Sequence, residues 1–491
     1  MKLQRATPES TGVSSQAILN FLKAAKGHEM HSFMLLKGGK VICERWWEPF
    51  GPQYRHQLYS LSKSFTSTAI GMAVDEGRLT VDTLLSDIFK AEFEDLDNMI
   101  DDEVHRMTVK HLLVMSTGME YENWNWEGYI GGYGLNHILS FLSAHVKDAP
   151  GQTFRYSSIA TYMLSAIITR LTGETLVAYL RSRLFEPLDI TPHWALDERV
   201  GIHMGGFGLN ITTEGIAKFG QLYLQKGQWE GKQLVSSAWV EEATSKQIEN
   251  GKDGQTESDS DWGVGYGYQF WRCKYENAYR GDGMFGQFCV VVPDMDIVVV
   301  INSNVNLPGL LDLVWQMLDD IRKQPADGSG ADVLAAYNNL SHLDTSEAGE
   351  DYPTFMAEYI VESVVTNFRG KPQGKATISL LFDIIDNECL ISVKSADKPF
   401  GVFRFVKGEW TKGAAPNLYT PFSIPNEEMK RVITYGVWKD RTFEVTTWHY
   451  ESASRDQHRF TFNEDFSEVT MESRTGAYDS EFEVKGVGKH R

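Results

Sequence analysis

Residues 57–77, QLYSLSKSFTSTAIGMAVDEG, contain the pattern on which the fold assignment depends. Ser60 and Lys63 lie three positions apart, and small and apolar residues follow them up to Gly77. The pattern predicts a helix over residues 61–76 that ends at Gly77, because glycine is common just after a helix. Residues three apart on a helix lie on one face, so the two side chains are expected to touch.

This pair predicts a nucleophile and its base. A serine hydroxyl is a weak nucleophile, and a lysine activates it only when burial or neighbouring cations lower the lysine pKa. The start of a helix also offers backbone N–H groups and a positive dipole end to a developing oxyanion. The same spacing recurs at Ser395 and Lys398, so spacing alone equally fits a helix cap beside a solvated lysine.

Further stretches carry a resemblance to a known family. They follow one another in family order over residues 5–320: MTVKHLLVMSTGM (107–119), APGQTFRYSSIATYMLSAIITRLTGE (149–174), GGFGLNITTEGIAKFGQLYLQKGQWEGKQLVSSAWVEEA (205–243), GYGYQFWR (265–272) and GDGMFGQFCVVVPDMDIVVV (281–300). With residues 57–89, they resemble the serine β-lactamase and penicillin-binding-protein superfamily, in its class C-like and esterase branch. The resemblance implies an antiparallel sheet flanked by helices, with a helical lobe inserted at about residues 80–200.

The resemblance also implies site residues. Ser60 would be the nucleophile, and Lys63 would share proton transfer with Tyr156, which lies in the sequence PGQTFRYSS. Which of Lys63 and Tyr156 is the base stays open. Ser158 stands where the family usually has an asparagine, so a contact to a substrate amide at Ser158 is in doubt.

The third family motif is altered. It is normally Lys or His, then any residue, then Gly, whereas this chain has Gly281, Asp282 and Gly283. Gly283 would let a substrate approach the strand, and the N–H groups of Ser60 and Met284 would form the oxyanion hole. Asp282 would repel a substrate carboxylate if it points inward, which disfavours β-lactams. Whether Arg280 compensates depends on the direction of its side chain.

Two tryptophans complete the candidate substrate-binding set of Ser158, Asp282 and Gly283. Trp124 and Trp126 lie in YENWNWEGYIGGYG, which the family places near the cleft. An aromatic wall would suit an apolar acyl or alcohol group. The rings could equally well pack the helical lobe.

The length of 491 residues favours two or three domains. We predict a hydrolase domain over residues 1–323, a linker over residues 324–371 and a β domain over residues 372–491. Eight short alternating β-like runs in the last segment fit a sandwich or an up-and-down barrel. Lipocalin-like domains attached to related peptidases suggest, by resemblance, that it binds a small apolar ligand; it could instead shape the cleft or mediate self-association into a homo-oligomer.

Charge and motifs exclude several classes of function. A formal net charge of −19 disfavours nucleic acid and anionic membrane surfaces as partners. We found no run of about 18 apolar residues, no signal-peptide pattern and no CxxC spacing, which favours a cytoplasmic protein with free thiols. No metal cluster, phosphate loop or dinucleotide fingerprint occurs, so we expect no metal and no cofactor.

The sequence therefore predicts a serine hydrolase that cleaves small esters or amides, including short peptides, through an acyl-enzyme on Ser60. One alternative is a β-lactamase or D-alanyl peptidase. Another, of a different class, is a catalytically silent penicillin-binding-like sensor or interaction protein.

Overall fold

A computed structural model gives the structure of most of the chain. It describes residues 2–119, 136–251, 260–305, 309–338, 349–367, 372–395, 398–415, 430–449, 451, 455–475 and 482–490. The α-helices are Ser15–Ala24, Ser62–Asp75, Leu85–Ile88, Lys90–Leu96, Val109–Leu113, His137–Leu142, Ser158–Thr172, Leu176–Leu180, Thr213–Leu224, Ser237–Thr244, Gly309–Lys323 and Ala331–Asn338.

The strands fall into two large sheets and three small ones. In chain order they are β1 (Met30–Lys37), β2 (Lys40–Trp46), β3 (His56–Gln57), β4 (His193–Trp194), β5 (Leu196–Asp197), β6 (Ile202–His203), β7 (Leu209–Ile211), β8 (Gln228–Trp229), β9 (Lys232–Gln233), β10 (Trp271–Arg272), β11 (Tyr279–Gly283), β12 (Gln287–Val292), β13 (Ile297–Ser303), β14 (Phe355–Asn367), β15 (Pro372–Ile385), β16 (Glu388–Ser395), β17 (Lys398–Val406), β18 (Thr411–Ala415), β19 (Lys430–Lys439), β20 (Thr442–His449), β21 (Arg455–Phe462), β22 (Glu468–Thr475) and β23 (Phe482–His490).

The first large sheet has six antiparallel strands in the order β10-β11-β12-β13-β1-β2. The turn between β1 and β2 lies at Gly38 and Gly39, whose φ angles of 58° and 71° favour glycine. Every residue of β12 and β13 is buried, as the near-continuous Val and Ile runs predict for central strands. The strands β1 and β2 form one hairpin of this sheet, and β12 and β13 form another.

Helices cover both faces of this sheet. The Ser15–Ala24 and Gly309–Lys323 helices pack together with one set of alternating strand residues, which includes Phe33 and Val299. The Ser62–Asp75 and Thr213–Leu224 helices pack against the other set, and the helices between residues 85 and 180 join the same core. The family architecture of a sheet between helices is thus confirmed.

The Ser62–Asp75 helix is buried on nearly all sides, from Ser62 to Ala73. Two of its hydroxyl groups bond to other segments of the domain: Ser64 Oγ donates to the Gln269 carbonyl at 2.9 Å, and Thr66 Oγ1 donates to the Gly205 carbonyl at 2.9 Å. Small side chains let neighbouring segments approach the helix closely. The helix therefore holds its first turn rigidly in the centre of the domain.

The second large sheet is C-terminal and has ten antiparallel strands in the order β17-β16-β15-β14-β23-β22-β21-β20-β19-β18. Thr434 on β19 donates a hydrogen bond to the Arg404 carbonyl on β17, so the two ends of the sheet meet and the sheet forms a nearly closed barrel. The prediction of an all-β C-terminal domain is confirmed, in its barrel form. Because β14 lies inside the segment assigned to the linker, we propose that this domain begins near residue 355 instead of residue 372.

The barrel docks on the first domain close to β3. The Gln57 N–H donates to the Glu451 carbonyl at 2.9 Å, and the Trp448 ring lies edge-on to Phe50 with centroids 5.9 Å apart. Beneath them, His31 Nδ1 and His56 Nε2 lie 2.9 Å apart in a buried pair. The junction therefore lies three residues before Ser60.

None of the described helices combines the length and the apolar character that crossing a membrane requires. All four cysteines are buried, and none forms a disulfide.

Candidate active site

Ser60 lies in a 3₁₀ turn, Tyr59–Leu61, immediately before the Ser62–Asp75 helix. The predicted α-helix therefore begins one residue later than expected. Tyr59 has a φ of 47°, which is uncommon for a residue other than glycine. Ser62 Oγ donates to the Tyr59 carbonyl at 2.6 Å, and the Tyr59 ring packs edge-on against Phe285 at 4.9 Å. These contacts fix the backbone at Ser60, which stays partly exposed.

Lys63 is buried beneath Ser60, with only 1% of its surface exposed. Its Nζ lies 3.0 Å from Ser60 Oγ, 3.0 Å from Ser158 Oγ and 2.8 Å from the Gly206 carbonyl oxygen. Burial lowers the pKa of Lys63 to about 7, because the ammonium is poorly solvated there. A large share of the lysine is therefore uncharged at neutral pH.

The three contacts fit an ammonium, which has three N–H groups, and they fit an uncharged amine equally well. Such an amine has two N–H groups and one lone pair, and the Gly206 carbonyl can only accept a hydrogen bond. If Ser158 Oγ accepts the second N–H, the lone pair is left for the proton of Ser60. The geometry is that of a base aligned on a hydroxyl.

Tyr156 lies just before the Ser158–Thr172 helix. The centroid of its ring is 4.8 Å from Lys63 Nζ, and the ring stacks on Trp271 with centroids 5.5 Å apart. Desolvation raises the Tyr156 pKa above its usual range, and the neighbouring Ser60 side chain offsets this shift only in part. Tyr156 is therefore a neutral phenol beside Ser60 at neutral pH.

Ser158 is the first residue of its helix, and Ser157 caps that helix by accepting from the Ala160 N–H at 3.3 Å. The Ser158 hydroxyl contacts Lys63 directly. The sequence left a contact between Ser158 and a substrate amide in doubt. The structure shows that Ser158 contacts Lys63.

Strand β11 runs beside the turn that holds Ser60, with two glycines facing the turn. A Cβ at Gly281 would overlap Leu61, and a Cβ at Gly283 would overlap the Leu58 carbonyl. No larger residue fits at either position without movement. Gly281 stands where the third motif usually has Lys or His. The close approach of β11 to the turn leaves no room for a side chain there unless neighbouring atoms move.

Asp282 and Arg280 lie on the opposite face of β11, because strand residues alternate. Arg280 Nε donates to Asp282 Oδ2 at 2.8 Å, and their side chains are 0% and 10% exposed. Burial raises the pKa of the Asp282 carboxyl, although Arg280 and Trp262 oppose this shift. The pair carries no net charge when both groups are ionised, so repulsion of a substrate carboxylate by Asp282 is largely offset.

Met284 follows β11 in the tight turn to β12. Its carbonyl accepts from Gln287 Nε2 at 3.1 Å, and its side chain packs with Tyr59 and Phe285. Met284 therefore lies next to the Ser60 turn, as the predicted oxyanion hole requires. Trp124 and Trp126 lie outside the described residues.

Sequence reasoning missed two neighbours of the site, Gly206 and Trp271. The Gly206 carbonyl binds Lys63, and a Cβ at Gly206 would come within 2.9 Å of the Ser158 carbonyl. The sequence signal was the run of glycines at residues 205–208. Trp271 supports Tyr156, and its proximity depends on the sheet, which no local spacing reveals.

Comparisons with known proteins concern the family of the chain. The Beta-lactamase family model matches residues 23–319. A 6-aminohexanoate-dimer hydrolase of Paenarthrobacter ureafaciens is 26% identical over 296 residues, which cover 55% of this chain and 71% of that protein. Penicillin-binding protein 4 of Amycolatopsis lactamdurans is 25% identical over 302 residues, covering 54% and 76% of the two chains.

A solved structure shares the fold. The penicillin-binding protein homologue from Caulobacter crescentus superimposes with a TM-score of 0.51 at 18% identity, covering 63% of this chain and 98% of that chain. The predicted family is confirmed, and with it the prediction of a hydrolase. The chain belongs to the β-lactamase family.

Proposed function

We propose that the protein hydrolyses ester or amide bonds of small substrates through an acyl-enzyme on Ser60. The observation that carries the proposal is the buried Lys63 Nζ, 3.0 Å from Ser60 Oγ, with its pKa lowered to about 7 by burial. A buried lysine that is partly neutral at pH 7 can take a proton from serine, whereas a solvated lysine rarely can.

The pKa of Lys63 is lowered and that of Tyr156 is raised, so we assign the two residues different roles in proton transfer. Lys63 is the base that takes the Ser60 proton, because its pKa falls toward neutrality. The Tyr156 pKa rises, so the phenol keeps its proton until the leaving group needs one. Tyr156 then donates that proton and regains one from the Lys63 ammonium, whose Nζ lies close to the Tyr156 ring.

The acylation step balances with these groups. Ser60 Oγ forms a bond to the carbonyl carbon, and the carbonyl oxygen becomes an oxyanion held by the Ser60 and Met284 N–H groups. The bond to the leaving nitrogen or oxygen then breaks as Tyr156 protonates it. Water attacks the acyl-enzyme in the second half, with Lys63 as base, and releases the acid and free Ser60.

Amides are the favoured substrates. The relative from Paenarthrobacter ureafaciens is named for hydrolysis of the 6-aminohexanoate dimer, a linear amide of an aliphatic amino acid. The Arg280–Asp282 pair carries no net charge when both groups are ionised, so it neither selects nor repels a charged substrate end. We therefore propose short linear amides first and simple esters second.

Intact-protein mass spectrometry with turnover kinetics tests the proposal. The wild type and Ser60→Ala are incubated with the linear 6-aminohexanoate dimer, p-nitrophenyl butyrate, a D-alanyl-D-alanine peptide and a chromogenic cephalosporin. We expect turnover of the dimer or the ester, with a transient acyl mass in the wild type alone. The Ser60→Ala variant controls for reaction at other residues.

Other outcomes point to the alternatives. A lasting cephalosporin adduct or rapid cephalosporin turnover would instead support a β-lactamase or peptidase. No adduct from any substrate, together with no labelling by a fluorophosphonate, would contradict the proposal and leave the silent sensor. Self-association through the barrel remains a prediction, which light scattering can check.

A further inference from the structure

The two proposed oxyanion donors, the N–H groups of Ser60 and Met284, are each next to a residue with a left-handed backbone. Tyr59 precedes Ser60 and has a φ of 47°, and Phe285 follows Met284 and has a φ of 70°. Such angles are uncommon for residues other than glycine and persist only where surrounding contacts hold them. The spacing of the two donors therefore depends on the contacts that support Tyr59 and Phe285.

The barrel supports the chain that leads to Ser60. The Gln57 N–H donates to the Glu451 carbonyl, in the connection after β20, at 2.9 Å. The next N–H, of Leu58, donates to the Leu209 carbonyl on β7 at 2.8 Å. The chain is thus bonded to both the barrel and β7 two residues before Ser60.

A second route connects the barrel to the turn between β11 and β12. Arg455 on β21 forms an ion pair with Glu29, with Nη2 3.5 Å from Oε2 and with side chains that are 20% and 24% exposed. Glu29 Oε1 accepts from Asn304 Nδ2 at 2.7 Å, and the Glu29 carbonyl accepts from the Asn304 N–H at 2.8 Å. The Val305 N–H then donates to the Phe285 carbonyl at 3.0 Å. The barrel is therefore linked to both sides of the proposed oxyanion hole.

Aromatic packing holds Arg455 in place. Its guanidinium carbon lies 5.2 Å from the centroid of the Trp448 ring, and Trp448 packs edge-on against Phe50 of the first domain. Ile433 on β19 belongs to the same apolar cluster as Phe50. Because its side chain already lies on this ring, Arg455 loses less freedom when it pairs with Glu29 than a free surface arginine would.

We propose that the barrel positions both donors of the proposed oxyanion hole, through Gln57 on one side and through Glu29 on the other. Arg455 is the positioning residue of the second route. The two donors lie on separate segments, so one body that is bonded to both keeps their spacing constant. Stabilisation of an oxyanion falls steeply when a donor is misplaced. The catalytic consequence rests on the proposed hydrolysis, whereas the effect on the two segments does not.

Kinetics of two matched variants test the inference. Arg455→Met removes the charge and keeps an unbranched side chain. Arg459→Met is the control on the same strand, where Arg459 Nε donates to Glu444 Oε1 of the barrel itself at 2.8 Å. We expect Arg455→Met to lower kcat for p-nitrophenyl butyrate about three- to tenfold with a smaller effect on KM. Labelling of Ser60 by a fluorophosphonate should slow by the same factor, and Arg459→Met should change neither rate.

Two more variants check that the ion pair is the cause. Glu29→Gln keeps an oxygen that accepts from Asn304 but offers no anion to Arg455, so it should reproduce the loss in kcat. Combining it with Arg455→Met should cost no more than either change alone, because both break the same contact. Arg455→Lys retains the positive charge and should recover part of the loss.

Hydrogen exchange followed by mass spectrometry gives a readout that does not need turnover. The amides to follow are those of Gln57, which bonds to the barrel, and Val305, which bonds to Phe285. Both should exchange faster in Arg455→Met than in the wild type, and at the wild-type rate in Arg459→Met.

The outcomes separate this inference from the proposed hydrolysis. If the wild type neither turns over any ester or amide nor labels, the hydrolysis is contradicted, and exchange at Gln57 and Val305 alone decides whether the barrel positions these segments. Unchanged exchange in Arg455→Met overturns the inference. So does an active wild type whose kcat and labelling rate Arg455→Met leaves intact, or an equal loss in Arg459→Met.

Discussion

The titration of Lys63 gives a quantitative prediction for the proposed acylation. With a pKa of about 7, about half of Lys63 is uncharged at pH 7, whereas a lysine with its usual value of 10.5 would be uncharged in only about one molecule in 3,000. The acylation rate follows the uncharged fraction if Lys63 is the base. The pKa difference corresponds to about 5 kcal/mol of lost ammonium solvation.

The assay is kcat/KM for p-nitrophenyl butyrate from pH 5.5 to 9.5, with the rate of Ser60→Ala subtracted. We expect log kcat/KM to rise with a slope of one below pH 7 and to level off by about pH 8. A solvated lysine titrates at about pH 10.4, so a midpoint near pH 7 is the value expected of Lys63 in its buried position.

Stability provides a second measurement of the same pKa. Because the folded-state pKa of Lys63 lies below that of the unfolded chain, the unfolded chain binds more protons between pH 7 and 10.5. The free energy of unfolding therefore rises with pH across this window. Relative to Lys63→Met, the wild type should gain about 3–4 kcal/mol between pH 7 and 10 in the transition of the domain that contains Ser60.

Two results would refute this reasoning. One is a value of kcat/KM that keeps rising tenfold per pH unit beyond pH 9, which would show that Lys63 titrates like a solvated lysine. The other is a constant difference in unfolding free energy between the wild type and Lys63→Met across the same pH range.

Three further predictions concern β11 and the domain junction. Gly283→Ala should lower kcat at least tenfold with a smaller effect on KM, because the new methyl group must push β11 away from the Leu58 carbonyl and so disturb the proposed oxyanion hole. Arg280→Met should destabilise the first domain by about 3–5 kcal/mol, because it leaves Asp282 buried without its cation. Trp448→Ala should lower the melting temperature and expose the junction to proteases, because its ring packs against Phe50.

Controls separate these effects from general damage. Gly309→Ala introduces the same methyl group where nothing lies within 4 Å, so equal losses in kcat would contradict the Gly283 argument. Adding Asp282→Leu to Arg280→Met should recover much of the lost stability in calorimetry. Stability as low as in the single variant would show that the charge pair is not the cause.

Local sequence patterns predicted the Ser60 segment well. The contact between Ser60 and Lys63 depends only on helical spacing, so residues 57–77 were sufficient to expect it. The contact from Ser158 to Lys63 joins residues 95 positions apart. It depends on how two helices pack, which spacing within either helix does not encode.

Local sequence patterns did not determine two features: the direction of the Arg280 and Asp282 side chains on β11, and the start of the β domain at β14. Alternation placed Arg280 and Asp282 on one face of a strand, but the direction of that face depends on the neighbouring strands and on Trp262. Strand β14 was assigned to a linker because the polar, small-residue segment before it obscures the start of the β domain. Its partners, β15 and β23, lie at opposite ends of that domain in sequence.

The buried histidine pair makes the domain junction sensitive to acid. Burial and the neighbouring His31 lower the pKa of His56 to about 3, and burial also lowers that of His31, although Glu29 opposes the shift. Because unfolded histidines bind protons near pH 6.5, the free energy of unfolding falls as the pH drops below this value. Acid inactivation should thus have two separable phases: reversible protonation of Lys63 near neutrality, and a cooperative release of the barrel at lower pH that also frees the segment leading to Ser60.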